Sequence, residues 1–289
     1  MNRKSRIILV PVDFEKPSLT AIEQTFNLAR LLKLELVLLY VFEETGAFAR
    51  FLGQDRSAEI VARIATDLEE LARQTSEKAG VKVTPMLEKG KPHDVILKKA
   101  DELNALLIFM GTTNSTTEEI VGTTTHKVVR SAKCPVITVR AVSYHDGCRN
   151  ILLPLDLTAE SRQKVTWAVE IARLYGASIK IISVITSQDP EIRQTLAIQQ
   201  KQSKNFIEKL NIPCSAELIE SRGEKPVKII LDYIEQHPEI DLVVIMTQQE
   251  LGIVDYFLDS EAQQIIRHSK APVMSVVPRD IGYSSIRIL

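Results

Sequence analysis

Three places in the first half of the sequence combine glycine, threonine and aspartate at the ends of apolar runs. Asp13 follows the run Arg6–Val12, and Gly111 follows the run Ala105–Met110. Gly122, with three threonines behind it, begins the last helical segment of this half. Glycine lets the backbone approach a ligand closely, and the free N–H groups at a helix start attract phosphate. Threonine hydroxyls can add hydrogen bonds, and an aspartate can accept them from ribose or adenine, so nucleotide binding is one interpretation.

The same residues also have a purely structural interpretation. Thr123 can cap the helix that follows it, and Asp13 can cap the helix that starts near Pro17. The sequence has no GxxxxGK[ST] loop, no GxGxxG after a strand and no GxSxG elbow. Its five histidines are scattered without zinc-ligand spacing. On the residues alone, nucleotide binding and helix capping both stay open.

The elements that must position these residues alternate between strand and helix. Ala105–Met110 is apolar throughout, which indicates a strand covered on both faces. Apolar and amphipathic segments predict, in order, strand 6–12, helix 17–33, strand 34–42, helix 58–78, strand 81–87, helix 92–103, strand 105–110, helix 118–131 and strand 135–139. This alternation is typical of a parallel, doubly wound sheet. Ligands bind such sheets at the carboxyl ends of the strands, where the strand order reverses, and the candidate residues lie at those ends.

The second half of the sequence repeats the first. Ile8–Phe14 recurs as Ile151–Leu157, 143 positions later, and Ala29–Leu31 recurs as Ala172–Leu174 at the same offset. Near the end of each copy, Arg130 and Pro135-Val136 match Arg267 and Pro272-Val273 at an offset of 137, so the second copy has lost a net six residues. Two large matching units indicate a duplication rather than a solenoid.

The predicted fold class is therefore α/β, with two tandem, doubly wound, five-stranded parallel-sheet domains of Rossmann-like type. Strands of the second copy are predicted near 150–156, 178–185, 214–220, 241–247 and 272–277. We expect the domains at 1–141 and 149–279, followed by a tail at 280–289.

Composition excludes several classes of protein. The chain has 289 residues, 45% of them hydrophobic and 25% charged, and a net charge of −1. It therefore lacks the long-range field that favours nucleic acid or an anionic membrane. No apolar run approaches the roughly 18 residues of a membrane helix, and the N-terminal one is too short for a signal peptide. Three cysteines without CxxC spacing fit a reducing compartment, so we expect a cytoplasmic protein.

Several short motifs, taken in order, resemble the universal stress protein A family. They are Val10-Pro11-Val12-Asp13, Gly90-Lys91-Pro92, the run Leu107–Gly111, Val121-Gly122-Thr123 and Cys134-Pro135-Val136. The resemblance extends over nearly the whole chain, once in each half. It implies a five-stranded parallel sheet with helices on both faces, and domains that pair as dimers.

Nucleotide-binding members of that family resemble one another in a pattern of Gly, two residues, Gly, nine residues and then Gly-Ser or Gly-Thr. Gly111 and Gly122-Thr123 match the ends of this pattern, whereas Asn114 stands at the middle glycine and only seven residues follow it. Glu118 and Glu119 in this shortened loop would repel a triphosphate unless a metal intervened.

The resemblance nevertheless implies ATP or another adenine nucleotide, with Mg²⁺, as the ligand of the first copy. The residues that it assigns to this site are Pro11, Asp13, Val41, Gly111, Thr112, Asn114, Gly122, Thr123, Thr124 and Thr125.

The second copy is predicted to have lost its site. Asp156 matches Asp13, but Thr247 is placed where Gly111 stands, and Asp259-Ser260 where Gly122-Thr123 stand. An aspartate at the helix start competes with phosphate for the same N–H groups. We expect this domain to be the structural partner of the first in an intramolecular pseudo-dimer, with a homodimer of chains as a further possibility.

The function implied by the resemblance is that of a tandem universal stress protein with a regulatory role. One alternative is an interaction module without nucleotide. Another is a slow ATP hydrolase built around Asp13 and a metal, although the sequence offers no positioned general base and no nucleophile.

The remaining notable residues have ordinary interpretations. His126, Arg162 and Lys164 are predicted to be solvated, Cys134 and Cys214 to be buried thiols, and Trp167 to lie in the core or an interface. The segment 46–56 is predicted to be a loop whose aromatic residues cover the first site or an oligomer surface, or pack locally.

Overall fold

The computed structural model describes residues 6–43, 46–112, 123–141, 147–158, 161–247 and 261–276, with the backbone alone at 46–57, 123, 161 and 162. The chain divides into two compact units, Met1–Ser143 and Tyr144–Leu289. Within the described residues, each unit alternates strand and helix, as the sequence predicts.

The first unit is a five-stranded sheet with the order β3-β2-β1-β4-β5. Its elements are β1 (Ile7–Pro11), α1 (Lys16–Leu32), β2 (Glu35–Phe42), α2 (Gly46–Ala79), β3 (Val83–Lys89), α3 (Pro92–Glu102), β4 (Leu107–Thr112), α4 (Thr123–Ser131) and β5 (Val136–Arg140). All described strand pairs in it are parallel.

The second unit repeats this arrangement with the order β8-β7-β6-β9-β10, again with parallel pairs. Its elements are β6 (Asn150–Pro154), α5 (Ser161–Tyr175), β7 (Ser178–Ile185), α6 (Pro190–Lys209), β8 (Cys214–Glu220), α7 (Pro226–Gln236), β9 (Leu242–Met246), α8 (Glu261–His268) and β10 (Val273–Val276). The prediction of an α/β fold with tandem parallel sheets is confirmed.

The central strands carry the core of each unit. Ile8, Leu9 and Val10 in β1 are fully buried, and so are their counterparts Ile151, Leu152 and Leu153 in β6. Strands that are covered on both faces read as continuous apolar runs, which is why the sequence identifies them so clearly.

Helix α1 shows why a helix forms beside such a strand. Pro17 lies in its first turn, where the missing N–H costs nothing, and Lys33 ends it in a left-handed conformation with φ of 53°. Ile22, Leu28 and Ala29 are buried on the side of α1 that faces the core, whereas Phe26 is only half-buried.

The segment 46–56 corrects the sequence prediction, because α2 begins at Gly46 rather than near residue 58 and contains the segment that was predicted to be a loop. A single glycine inside a helix costs only about 1 kcal/mol relative to alanine, so Gly53 does not end it. Helix α2 has 34 residues, whereas its counterpart α6 in the second copy has 20, so the second copy is shorter at this helix.

Candidate functional site

The strand order reverses between β1 and β4 in the first unit. Chain order runs from β1 outward to β2 and β3, and then returns to β4 on the other side of β1. Ile8 pairs with Leu107 and Leu9 with Ile108, so the two strands end side by side. In an open parallel sheet, the carboxyl ends of two such strands form the crevice where ligands bind. Asp13 follows one strand, and Gly111 lies at the end of the other.

Asp13 is exposed and is held by local hydrogen bonds. Its Oδ1 accepts from the backbone N–H of Glu15 at 2.9 Å and from the hydroxyl of Ser18 at 2.6 Å. Glu15 is the N-cap residue of α1 and makes no side-chain cap itself. Asp13 thus ties the end of β1 to the start of α1 and leaves the carboxylate at the surface. Its described hydrogen bonds come from the N–H of the N-cap residue and from a hydroxyl, not from a backbone N–H of the first turn, so they do not make it the cap of α1.

Ser18 is a site residue that the sequence reasoning missed. It is buried, and its Oγ lies 2.6 Å from Asp13 Oδ1, 2.9 Å from the carbonyl oxygen of Glu15 and 3.3 Å from the Asp13 nitrogen. A signal for it exists in the duplication, because Asp156 and Ser161 repeat the spacing of Asp13 and Ser18.

Gly111 is in very close contact with the first turn of α1. A Cβ atom at this position would lie 2.5 Å from the carbonyl oxygen of Pro17 and 2.5 Å from the nitrogen of Ser18. Since real Cβ atoms do not approach backbone so closely, glycine is required here for helix packing, whether or not a ligand binds. The end of β4 at Gly111 and the turn that contains Asp13 are therefore linked through Ser18 in the first turn of α1.

Phe14, the residue after Asp13, adopts an unusual backbone conformation. Its φ is 64°, in the left-handed region that residues with side chains rarely adopt. Its ring packs against that of Tyr40 on β2, with centroids 5.4 Å apart. The aromatic contact stabilises the sharp turn by which the chain leaves β1 and presents Asp13.

The other predicted site residues lie at several depths. Pro11, Val41 and Thr124 are half-buried, whereas Thr112 and Thr125 are buried. The Thr112 hydroxyl donates to the carbonyl oxygen of Val139 at 3.4 Å. Thr123 begins α4, although only its backbone is described, and Asn114 and Gly122 lie outside the described residues.

His126 corrects a prediction, because it is half-buried rather than solvated. Burial, with smaller contributions from the positive charges of Arg130 and Lys127, lowers the pKa of His126 below its ordinary value. A neutral imidazole is therefore favoured in the first half of α4 near neutral pH.

The second unit differs from the first at the position of Gly111. Leu242 and Val243 pair with β6 as Leu107 and Ile108 pair with β1. Met246 of the second unit is therefore the structural equivalent of Gly111 in the first. The alignment that placed Thr247 there is wrong. Thr247 corresponds to Thr112, and its hydroxyl makes the matching contact to the carbonyl oxygen of Val276 at 3.5 Å.

Lys164 also departs from the prediction, because its side chain is only 9% exposed. Its ammonium donates to the carbonyl oxygen of Pro154 at 2.9 Å and lies 3.8 Å from Oδ2 of Asp156. Asp156 Oδ1 accepts from the backbone N–H of Thr158 at 2.9 Å and from the hydroxyl of the same residue. The predicted blocking residues Asp259 and Ser260 lie outside the described part of the chain.

The cysteines and Trp167 complete the comparison with the sequence predictions. Cys134 and Cys214 are half-buried rather than buried, while Cys148, which lies between the two predicted domains, is buried. Burial raises the pKa of Cys148 to about 12 and that of Cys214 to about 11. Trp167 is buried, as predicted.

Two features are absent from the described part of the chain. No group of three or more histidine, cysteine, aspartate or glutamate side chains could hold a metal ion there. No helix in the same part of the chain is long and apolar enough to cross a membrane.

Comparison with known proteins relates both units to one family. The model of the universal stress protein family matches residues 4–140 and 147–277. A universal stress protein of Methanocaldococcus jannaschii is 31% identical over 140 residues, which cover 46% of this chain and 81% of that protein. One of Synechocystis is 29% identical over 142 residues, covering 46% of this chain and 85% of that protein.

A solved structure shares the fold over nearly the full length. The crystal structure of a universal stress protein from Archaeoglobus fulgidus has a TM-score of 0.71 at 20% identity, and the match covers 94% of this chain and 98% of that chain. Since the family model matches most of each half, the chain belongs to the universal stress protein family and carries two of its domains in tandem.

Proposed function

We propose that this protein binds an adenine nucleotide in its first domain and acts as a sensor or regulator in a stress response. The observation that supports this most is the exposed Asp13 carboxylate at the β1/β4 reversal, held in place by Ser18. The regulatory role rests on membership of the family, and the nucleotide rests on the geometry of the strand ends.

The described residues suit the nucleoside end of such a ligand. Both hydrogen bonds described for the Asp13 carboxylate use Oδ1, which leaves Oδ2 for a ribose hydroxyl or an adenine amine. Half-buried Val41 near the end of β2 offers an apolar surface for a base. The phosphates would bind at the start of α4, where free N–H groups and the threonines follow Gly122. No residue is assigned a catalytic role.

A specific observation supports the second candidate, an interaction module without nucleotide. Gly111 and Asp13 both have structural partners within α1, so neither residue needs a ligand to explain its presence. The two candidates therefore differ in whether the strand ends bind anything beyond their own helix.

Calorimetric titration with Mg-ATP distinguishes these candidates. We expect the wild type to bind one nucleotide per chain, and Asp13→Asn to bind about 10- to 150-fold more weakly, since a hydrogen bond to a charged group contributes about 1.5–3 kcal/mol. Asp156→Asn, the matching change in the second domain, should bind like the wild type. Gly122→Asp, which copies Asp259 of the second domain, should not bind.

Thermal stability gives an independent measurement of the same binding. ATP at 100 times its dissociation constant should stabilise the wild type by about 2.7 kcal/mol. If neither titration nor melting responds to ATP, adenine-nucleotide binding is rejected and the interaction module remains. Steady release of phosphate by the wild type would instead support the slow ATP hydrolase.

The pairing of the two domains and the location of the protein in the cell are further parts of this proposal. Two family domains in one chain favour pairing of the domains with each other, and sedimentation velocity measures whether two chains associate further. A cytoplasmic location is supported by the cysteine pattern, and fractionation of cells tests it.

A further inference from the structure

Lys164 places a buried positive charge at the carboxyl end of β6. It lies on α5, its side chain is 9% exposed, and its Nζ donates to the carbonyl oxygen of Pro154 at 2.9 Å. Lysine is almost never buried without partners, because removing an ammonium from water is expensive. Its presence at the place where ligands bind this type of sheet therefore calls for an explanation.

The first domain has alanine at this position. The offset of 143 that relates β1 to β6 places Ala21 at Lys164, and Ala21 is fully buried. Gly111 lets the first turn of α1 contact the end of β4 directly, whereas Met246 carries a side chain at the corresponding place. The second domain thus holds two larger side chains, Met246 and Lys164, where the first has glycine and alanine.

The aspartates at the ends of β1 and β6 also differ in their surroundings. In the described part of the first domain, the hydrogen bonds of the Asp13 carboxylate fall on Oδ1. Asp156 uses Oδ1 for Thr158, and its Oδ2 lies 3.8 Å from the ammonium of Lys164. The carboxylate oxygen that has no described hydrogen bond in the first domain lies near a cation of the same chain in the second.

We propose that the Lys164 ammonium takes the position at Asp156 that a hydrogen-bond donor of a ligand would otherwise take. It thereby restricts nucleotide binding to the first domain. The ligand that it replaces is the adenine nucleotide of the proposed function, so in that respect this inference rests on it. Lys164 is then a residue that determines which domain binds.

The Lys164 ammonium opposes ligand binding at Asp156 for an electrostatic reason. A nucleoside that bound Oδ2 of Asp156 would compete with the Lys164 ammonium for this carboxylate. The Asp156 side chain is 58% exposed, so the cost falls on the buried lysine, whose charge would lose part of its compensation. Asp13 presents no such cost, because alanine stands at the position of the lysine.

The experiment compares two variants of the second domain by titration with Mg-ATP. The first, Met246→Gly/Asp259→Gly, gives the second domain the glycines of the first and keeps Lys164. The second adds Lys164→Ala. We expect the first variant to bind one nucleotide per chain, like the wild type, and the second to bind two.

Two outcomes would overturn the inference once a cooperative melting transition has shown that both variants fold. One is a second equivalent bound while Lys164 is still present. The other is a single equivalent bound after Lys164 has been replaced. If the wild type binds no ATP at all, the proposed function fails, and a measurement without ligand then tests the position of Lys164 itself.

That measurement is the rate at which an amine-specific reagent modifies the native protein, read by mass spectrometry. Lys98, whose side chain is 70% exposed, is the reference. We expect Lys164 to be modified at least about tenfold more slowly than Lys98, because a buried amine reacts only when the structure opens locally. Equal rates for the two lysines would mean that Lys164 does not occupy the site.

Discussion

Asp13, Ser18 and Gly111 form one hydrogen-bonded and closely packed group at the point where β1 passes into α1. The Ser18 hydroxyl lies 2.6 Å from the Asp13 carboxylate, and the backbone of Ser18 lies against Gly111. A change at any of these residues is therefore expected to affect the others. Because the group joins the two strands at the reversal of the sheet, its geometry decides how the carboxylate is presented to a ligand.

Gly111→Ala should destabilise the first unit by about 1–3 kcal/mol, the usual cost of forcing an additional methyl group into a packed site. The added Cβ would lie 2.5 Å from backbone atoms of α1, which cannot move away as a flexible side chain could. Urea denaturation measures the loss. A variant as stable as the wild type would show that α1 is not seated on Gly111.

His126 should make stability depend on pH. Its folded-state pKa is lowered by burial, so the unfolded chain takes up a proton near pH 6.5 while the folded protein does not. Its contribution is therefore fully present above pH 6.5 and is lost as the pH falls through that value towards the lowered pKa. In His126→Gln this part of the loss should be missing.

Urea denaturation of both proteins between about pH 7.5 and about pH 5.5 tests this expectation, since the window spans the ordinary histidine pKa. If the free energy of unfolding falls by the same amount in both, protonation of His126 does not contribute.

At the scale of elements, the two domains differ in how their strands are anchored as well as in their sites. Asp241, directly before β9, is buried, and its Oδ2 accepts from the backbone N–H groups of Arg149 and Asn150 at 2.7 and 2.8 Å. The corresponding position in the first domain is Leu106, whose nitrogen donates to the carbonyl oxygen of Ile7. A carboxylate thus fixes the start of β6 where the chain enters the second domain.

Asp241→Ala should lower the free energy of unfolding of the second unit by about 1–3 kcal/mol, because two N–H groups lose their acceptor. Asp241→Asn is the matched control, since its amide oxygen can still accept from the same groups and the loss should be smaller. Hydrogen exchange at Asn150 and its neighbours locates the effect. Equal losses in the two variants would mean that the hydrogen bonds are not responsible.

At the scale of the whole molecule, the duplication yields two compact units with the same strand order but with different strand ends. Gly111 and Ala21 in one unit correspond to Met246 and Lys164 in the other. One chain therefore combines two domains with exposed aspartates, of which only Asp156 has a lysine at the position that alanine occupies in the other domain.

Mg-ATP should slow amide hydrogen exchange in the first unit and leave the second unit unchanged. Protection is expected at the end of β1, the start of α1 and the start of α4, because a bound ligand reduces local opening there. Exchange followed by mass spectrometry resolves these segments. Protection in α5 of the second unit would contradict a single site in the first domain.

The amino-acid sequence alone was enough to identify the fold class, the duplication and the family. Continuous apolar strands and amphipathic helices are local patterns that directly reflect burial, so the alternation of β1 to β5 could be predicted. It also identified Asp13 and Gly111 as residues at strand ends. The start of α2 was missed because a lone glycine does not reliably end a helix.

The surroundings of those residues, in contrast, depend on how the chain folds in three dimensions. Ser18, Met246 and Lys164 acquire their roles from strand register and from contacts between helix and strand, which no local pattern encodes. Lys164 appears in the sequence as one more charge on a helix, and it becomes a buried partner of Asp156 because α5 turns that face towards β6. Burial and hydrogen bonding depend on residues distant in the chain, and therefore on the folded arrangement rather than on the sequence nearby.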